Sequence, residues 1–225
     1  MTIGVVSKVR ATLSRALRSI TPISNVLAMR HLVRTDSWLV TSGWLRSYQE
    51  RVPVDQDGQP LPWIVYSAMA MLEPRLSRDW QVFEYGCGHS TLWWSRRVRQ
   101  VDSCEHDARW YERIKRSMPD NVRLAHHELV PDGDYCRAVL QYGLSYDIIV
   151  IDGRDRVNCA LQAEACLKPE GVVIWDNADR AAYQPGIDHL LARGFRRLDY
   201  YGMAPLSHRL TCTSLFYRDG NCLGL

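Results

Sequence analysis

Two acids and two glycines carry the clearest chemistry in this sequence. The run Val82-Phe83-Glu84-Tyr85-Gly86-Cys87-Gly88-His89-Ser90-Thr91 ends an apolar stretch on a carboxylate and then sets two glycines one residue apart. Glycines so placed let the backbone turn tightly and approach a ligand, and the N–H groups of a following helix point at an anionic part of it. The pattern is that of a cofactor loop, against the alternative of a structural turn with no ligand. A dinucleotide fingerprint would demand a third glycine at position 91, where Thr91 stands, and would not need an acid at the strand end. Glu84 is therefore the discriminating residue. A second acid, Glu105, closes the run Val101-Asp102-Ser103-Cys104-Glu105-His106. At the carboxyl end of a strand it is placed to accept hydrogen bonds from both hydroxyls of a ribose; the alternatives are a solvated charge or a cap for a helix starting near Asp107.

These residues need a scaffold that brings strand ends together. Strand-like runs are expected at Gln81–Tyr85, Val101–Glu105, Val122–His126, Asp147–Ile151 and Gly171–Trp175, alternating with helical stretches at Ser90–Val98, Ala108–Met118, Asp134–Tyr142 and Ala160–Leu167. The fourth and fifth runs are apolar without alternation, as for central strands covered on both faces; the second and third are more polar. Alternation of strand and helix implies right-handed crossovers and a doubly wound, mostly parallel α/β sheet. Two later runs, Phe195–Tyr200 and Thr211–Tyr217, suit an antiparallel final hairpin at its edge. Before the sheet, apolar residues at helical spacing in Ile3–Ile20 and again in Val26–Val33 predict an N-terminal extension of two helices, interrupted at Thr21-Pro22. The proline-rich segment from Val52 to Pro62 reads as an irregular connection. The expected organisation is an extension and connection over 1–62, then one α/β domain over 63–225.

Bulk properties bound the function. A hydrophobic content of 46% and a charged content of 24% belong to an ordinary globular chain. The net charge of +3 is uneven, because Lys8, Arg10, Arg15, Arg18, Arg30 and Arg34 all precede the first acidic residue, Asp36. The sheet domain thus carries no basic excess, and no nucleic-acid partner is expected. The 7 cysteines form no C-x-x-C pair and predict neither zinc site nor disulfide framework, so a reducing, cytoplasmic setting is expected. No run is long and apolar enough to span a bilayer. Residues 1–20 have the pattern of a basic amphipathic helix, suited to peripheral contact with an anionic membrane or to an organelle address. The plainer alternative is packing on its own domain or on a partner subunit, which would make a homodimer.

The run E-Y-G-C-G-H-S, the acid of C-E-H-D, and the later D-I-I-V-I-D-G and V-V-I-W-D-N together resemble the class I S-adenosylmethionine-dependent methyltransferases, over roughly residues 80–217. The resemblance implies a Rossmann-like, seven-stranded sheet with a reversed final hairpin. It also implies that Glu84, Gly86, Gly88 and Ser90 surround the methionine portion of the cofactor, that Glu105 holds the ribose, that His106 borders the adenine, and that Asp134 and Tyr135 lie at the adenine edge. Asp152, Asp176 and Asn177 would fall beside the reactive methyl group. Their hard oxygens are of the kind Mg²⁺ takes, and the three positions are similar to the metal site of catechol-type O-methyltransferases. A lysine follows the first aspartate by three residues in those enzymes; here that position is Asp155, between Arg154 and Arg156. The competing reading has Asp152 as the catalytic contact to cofactor or substrate without metal.

The function implied is methyl transfer from S-adenosylmethionine to a small-molecule acceptor, at oxygen. Its pocket would form from Asp152, Asp176, the final hairpin loop, and the Trp44 and Pro62-Trp63 segments. Alternatives are a nicotinamide-dependent oxidoreductase and a catalytically silent cofactor-binding scaffold. Trp93, Trp94, Trp110 and Tyr111 are expected to be core; Ser90 and Thr91 look like helix-start residues. His89, His126, His127 and His208 are candidate bases, with His208-Arg209 near the substrate mouth.

Overall fold

The computed structural model describes residues 21–143 and 145–225. Its centre is a seven-stranded sheet in the order β3-β2-β1-β4-β5-β7-β6, formed by β1 (Gln81–Tyr85), β2 (Gln100–Glu105), β3 (Val122–His126), β4 (Tyr146–Ile151), β5 (Leu167–Asp176), β6 (Arg196–Gly202) and β7 (Thr211–Tyr217). The first five are parallel, and β7 runs antiparallel to both β5 and β6. The doubly wound sheet with its reversed final hairpin is as expected from the sequence.

Successive strand residues face opposite sides, and both sides are packed. Phe83, Tyr85, Ile149, Ile151, Val173 and Trp175 join one core. Val82, Ile148, Val150, Val172 and Ile174 join the other, with Trp93 and Trp94. That double cover explains why β4 and β5 read as unbroken apolar runs. β3 is polar because it is the edge strand. β2 is polar for another reason: fully buried Asp102 accepts from Arg123 at 2.6 Å through both carboxylate oxygens and from Tyr146 Oη at 2.7 Å.

The helix expected over Asp134–Tyr142 is α-helical only over Asp134–Arg137 before a 3₁₀ turn at Ala138–Leu140, and two further helices depart from expectation. The expected Ala160–Leu167 helix begins earlier, at Arg156, and its end is a 3₁₀ turn over Glu164–Cys166, with Leu167 already in β5. Apolar spacing marked only the side packed on the sheet. The helix Gln184–Ala192 was not expected at all, because Pro185-Gly186 resembles a break. A proline in the first turn loses no helical hydrogen bond. Gly186 is there for packing, since a Cβ on it would lie 2.6 Å from Trp175 Cη2.

Before the sheet come the helices Thr21–Leu32, Trp38–Thr41, Trp44–Glu50 and Tyr66–Leu72. Within the Val52–Pro62 connection, Val54 and Pro60 form an antiparallel bridge, and Ser47 Oγ both donates to Val54 O at 2.7 Å and accepts from Val54 N at 2.9 Å. Trp44 Nε1 donates to Ser207 O at 2.8 Å, fixing the loop between β6 and β7. The expectation for Ile3–Ile20, with its membrane contact, lies outside the described residues. Among those described, no helix is long and apolar enough to cross a membrane.

Candidate functional site

Parallel strands deliver their carboxyl ends to one side of the sheet. Between β1 and β4 the chain order reverses, and a crevice opens there, where open α/β sheets bind ligands. Two loops frame it. Gly86 has φ +89°, in the left-handed region, and a Cβ on it would sit 3.2 Å from Gly153 Cα. Gly88 has only Trp110 Cζ2 near a built Cβ, at 3.7 Å, so its backbone faces open space. Trp110, expected in the core, lines the cavity beside this loop instead, and its Nε1 donates to Cys87 O at 2.7 Å and holds the loop.

The loop borders a cavity of about 290 Å³. Gly86, Gly88, Ser90, Glu105, His106 and Asp152 all line it. Glu105 Oε1 accepts from His106 N at 2.7 Å and Asp107 N at 2.8 Å, while Oε2 has a longer contact with Cys87 N at 3.3 Å and is the freer oxygen. His106 Nδ1 lies 2.8 Å from Glu105 Oε1 but out of line for a hydrogen bond.

Glu84 lies below the loop, 1% exposed. Thr91 Oγ1 donates to its Oε2 at 2.5 Å, whereas Oε1 is buried with no partner. Burial pushes the Glu84 carboxyl up to about 7, against the hydroxyls of Ser90, Thr91 and Ser103 that lower it, with the Glu105 charge adding to the rise. An acceptor buried without a donor costs free energy, and the nearby Ser90 hydroxyl or a ligand could fill that place.

Three of the expected cofactor residues do not line the cavity: Glu84, which lies beneath the glycine loop, and Tyr135 and Asp134. Tyr135 is fully buried in the core, and its hydroxyl accepts from Arg154 N at 3.3 Å, supporting the Gly153 turn from beneath. Asp134 is exposed, and neither lines the cavity. The cause is register: the helix Asp134–Arg137 turns Tyr135 toward the sheet and Asp134 toward solvent.

A second cavity, of about 560 Å³, shares Asp152, Arg154 and Trp63 with the first and reaches Asp176 and Asn177 at the end of β5. Arg156, 5% exposed, occupies the junction. Its Nη2 donates to Asp152 Oδ1 at 2.9 Å and Asp152 O at 3.0 Å, Nε donates to Gly153 O at 3.0 Å, and Nη1 donates to Asp176 O. Asp176 Oδ1 accepts from Thr213 at 2.7 Å, and Asn177 turns its amide nitrogen to Asp176 Oδ2 at 2.5 Å. Burial raises both aspartates above the ordinary carboxylate range; Arg156 opposes this at Asp152, and the Asp152 charge adds to it at Asp176.

This donor set does not fit Mg²⁺. The cation beside Asp152 is the chain's own guanidinium, which already fills the space between Asp152 and the Asp176 backbone. Asp155, at the expected lysine position, accepts from Asp132 N at 2.9 Å and Asn158 Nδ2 at 2.8 Å and serves the turn. Of the candidate bases, His89 lines the first cavity and burial lowers its pKa, while His126, His127 and His208 line neither cavity. Sequence reasoning passed over Arg180, which lines the second cavity, and gave Thr91 only a helix-start role. An exposed arginine beyond Asn177 carries no local signal.

No protein-family model matches the chain, and no curated protein matches it in sequence. Solved structures do. The O-methyltransferase TomG from Streptomyces achromogenes, involved in tomaymycin synthesis and solved in complex with SAM, is 16% identical with a TM-score of 0.53, over 88% of this chain and 96% of that one. A precorrin-6y C5,15-methyltransferase from Geobacter metallireducens is 15% identical, TM-score 0.52, over 76% and 96%. A precorrin 8W decarboxylase from Methanobacterium thermoautotrophicum is 19% identical, TM-score 0.51, over 75% and 97%. The chain has the Rossmann-like fold of class I methyltransferases.

Proposed function

We propose that the chain is an S-adenosylmethionine-dependent methyltransferase that methylates a hydroxyl of a small molecule. The observation that supports this best is the convergence of Glu84 and Glu105, from the ends of neighbouring strands, on one glycine loop. Glu84 Oε1, buried without a donor, suits the cationic amino group of the methionine portion. Glu105 Oε2 suits the ribose diol, and His106 lines the wall where the adenine would lie. Gly86 and Gly88 keep the backbone clear for the ligand. The fold alone does not fix the reaction, since one similar structure is named a decarboxylase.

The cofactor supplies an activated methyl group; the protein supplies alignment and exclusion of water. Asp152 lines both cavities and is proposed as the catalytic contact at their junction, held by Arg156 without metal. Trp63 also lines both cavities. Calorimetric titration with S-adenosylhomocysteine and with NAD tests the reading. Binding of the first and not the second is expected, followed by transfer of labelled methyl from S-adenosylmethionine to hydroxyl-bearing acceptors. Preference for NAD would replace this reading, and binding without transfer across a broad acceptor panel would mark a silent scaffold.

A further inference from the structure

We propose that the larger cavity is an oxyanion subsite, in which Arg154, Arg180 and Arg209 hold a carboxylate or phosphate carried by the methyl acceptor. Three separate segments bring a guanidinium to this one space. Arg154 comes from the turn after β4, Arg180 from the turn after β5, and Arg209 from the loop between β6 and β7. Among the described residues none of the three is in an ion pair. The fourth arginine of the wall, Arg156, is excluded because its donors are committed to Asp152, Gly153 and Asp176.

The acids of the wall do not cancel this charge. Asp152 is matched by Arg156 at 2.9 Å. Asp176 is buried, its two oxygens accept from Thr213 and Asn177, and burial raises its pKa above the ordinary carboxylate range. Only Asp179 remains as a free competitor, and it is exposed. Planar guanidinium groups bind carboxylate and phosphate through paired N–H donors, and three of them exposed around one cavity add their attraction there. Two arms have a fixed base: Arg154 N donates to Tyr135 Oη at 3.3 Å and Arg209 N to Ser207 Oγ at 3.3 Å, on the loop that Trp44 pins; the Arg180 guanidinium spends one donor, Nη1, on Tyr183 Oη at 3.4 Å and keeps its others for a ligand.

Only the identity of the oxyanion as part of a methyl acceptor rests on the proposed function. The test uses the full chain saturated with S-adenosylhomocysteine, titrated calorimetrically with sodium benzoate, with inorganic phosphate, and with benzamide as a neutral match to benzoate. At least one oxyanion is expected to bind, tenfold or more tighter than benzamide; whichever binds better tells carboxylate from phosphate. The double variant Arg180→Gln/Arg209→Gln, at two exposed positions, is expected to weaken that binding at least tenfold while S-adenosylhomocysteine affinity stays within twofold. Absence of oxyanion binding, or binding unchanged in the double variant, overturns the subsite. If the wild type bound benzoate or phosphate but not S-adenosylhomocysteine, the subsite would stand and the methyltransferase reading would fall.

Discussion

The Thr91 hydroxyl links Glu84 to the glycine loop: it donates to Glu84 Oε2 at 2.5 Å and accepts from Gly88 N at 3.0 Å. The position where a dinucleotide loop would carry a glycine therefore holds a side chain that ties the loop's conformation to the acid beneath it. Because Oε2 is engaged in this way, Oε1 is the oxygen left without a partner. A hydroxyl at position 91 and an acid at position 84 act as one unit.

Thr91→Val keeps the shape and removes both hydrogen bonds, leaving a carboxylate oxygen and a backbone N–H unsatisfied at a fully buried position. The expected loss is about 1–3 kcal/mol of stability, with weaker S-adenosylhomocysteine binding. Thr91→Ser restores the hydroxyl and should recover most of the affinity. Urea denaturation and calorimetry check both; a Val variant as stable and as tight as wild type would remove the link.

Glu84 also sets a pH dependence. Its carboxyl is raised from 4.5 to about 7, so between those values the folded, ligand-free chain holds a proton that the unfolded chain has lost. Stability from this group is full below pH 4.5 and is lost as pH rises through 7. Asp152 and Asp176, also raised, act in the same sense. Binding of the cationic amino group needs ionised Glu84 and should strengthen as pH climbs from 6 to 8. In Glu84→Gln both slopes should flatten relative to wild type, measured as urea midpoints and S-adenosylhomocysteine affinities across that range. Parallel slopes in the two proteins would show that Glu84 is not the titrating group.

The sheet was legible because burial on both faces leaves an unmistakable composition at β4 and β5, and because glycines and acids stand at strand ends. Gly86 and Glu105 were legible for that reason. Tyr135 was misplaced because a four-residue helix gives no periodicity from which to tell the sheet side from the solvent side. Arg156 was one of two arginines flanking Asp155, and only the left-handed turn at Asp155, φ +47°, decides which of them reaches back to Asp152. The partners of Arg180 and Arg209 depend on strands far apart in sequence, which no local pattern records.

Gly86→Val should abolish measurable S-adenosylhomocysteine binding. The residue has φ +89°, which a β-branched side chain resists, and its Cβ would press on the Gly153 backbone at 3.2 Å. The loop would have to move from the cavity it borders. Circular dichroism should remain that of the folded protein while calorimetry shows no heat; wild-type affinity would reduce the loop to a structural turn.

Arg156 accounts for the final expectation, that function is independent of divalent metal. A metal between Asp152 and Asp176 would have to displace a buried guanidinium that holds one carboxylate and three backbone carbonyls. Breaking a buried ion pair by removing one partner costs about 3–5 kcal/mol. The lower end applies here, because Asp152 keeps 22% of its side-chain surface exposed. Arg156→Ala should accordingly lower stability by about 3 kcal/mol, and Mg²⁺ should not restore it, since the carbonyls lose their donors as well as the carboxylate its cation. In the wild type, exhaustive chelation should leave methyl transfer unchanged, and added Mg²⁺ should not shift the thermal midpoint. Activity lost in chelator and regained on Mg²⁺ addition would mean that Arg156 swings away in the working enzyme and that Asp152, Asp176 and Asn177 hold the metal after all.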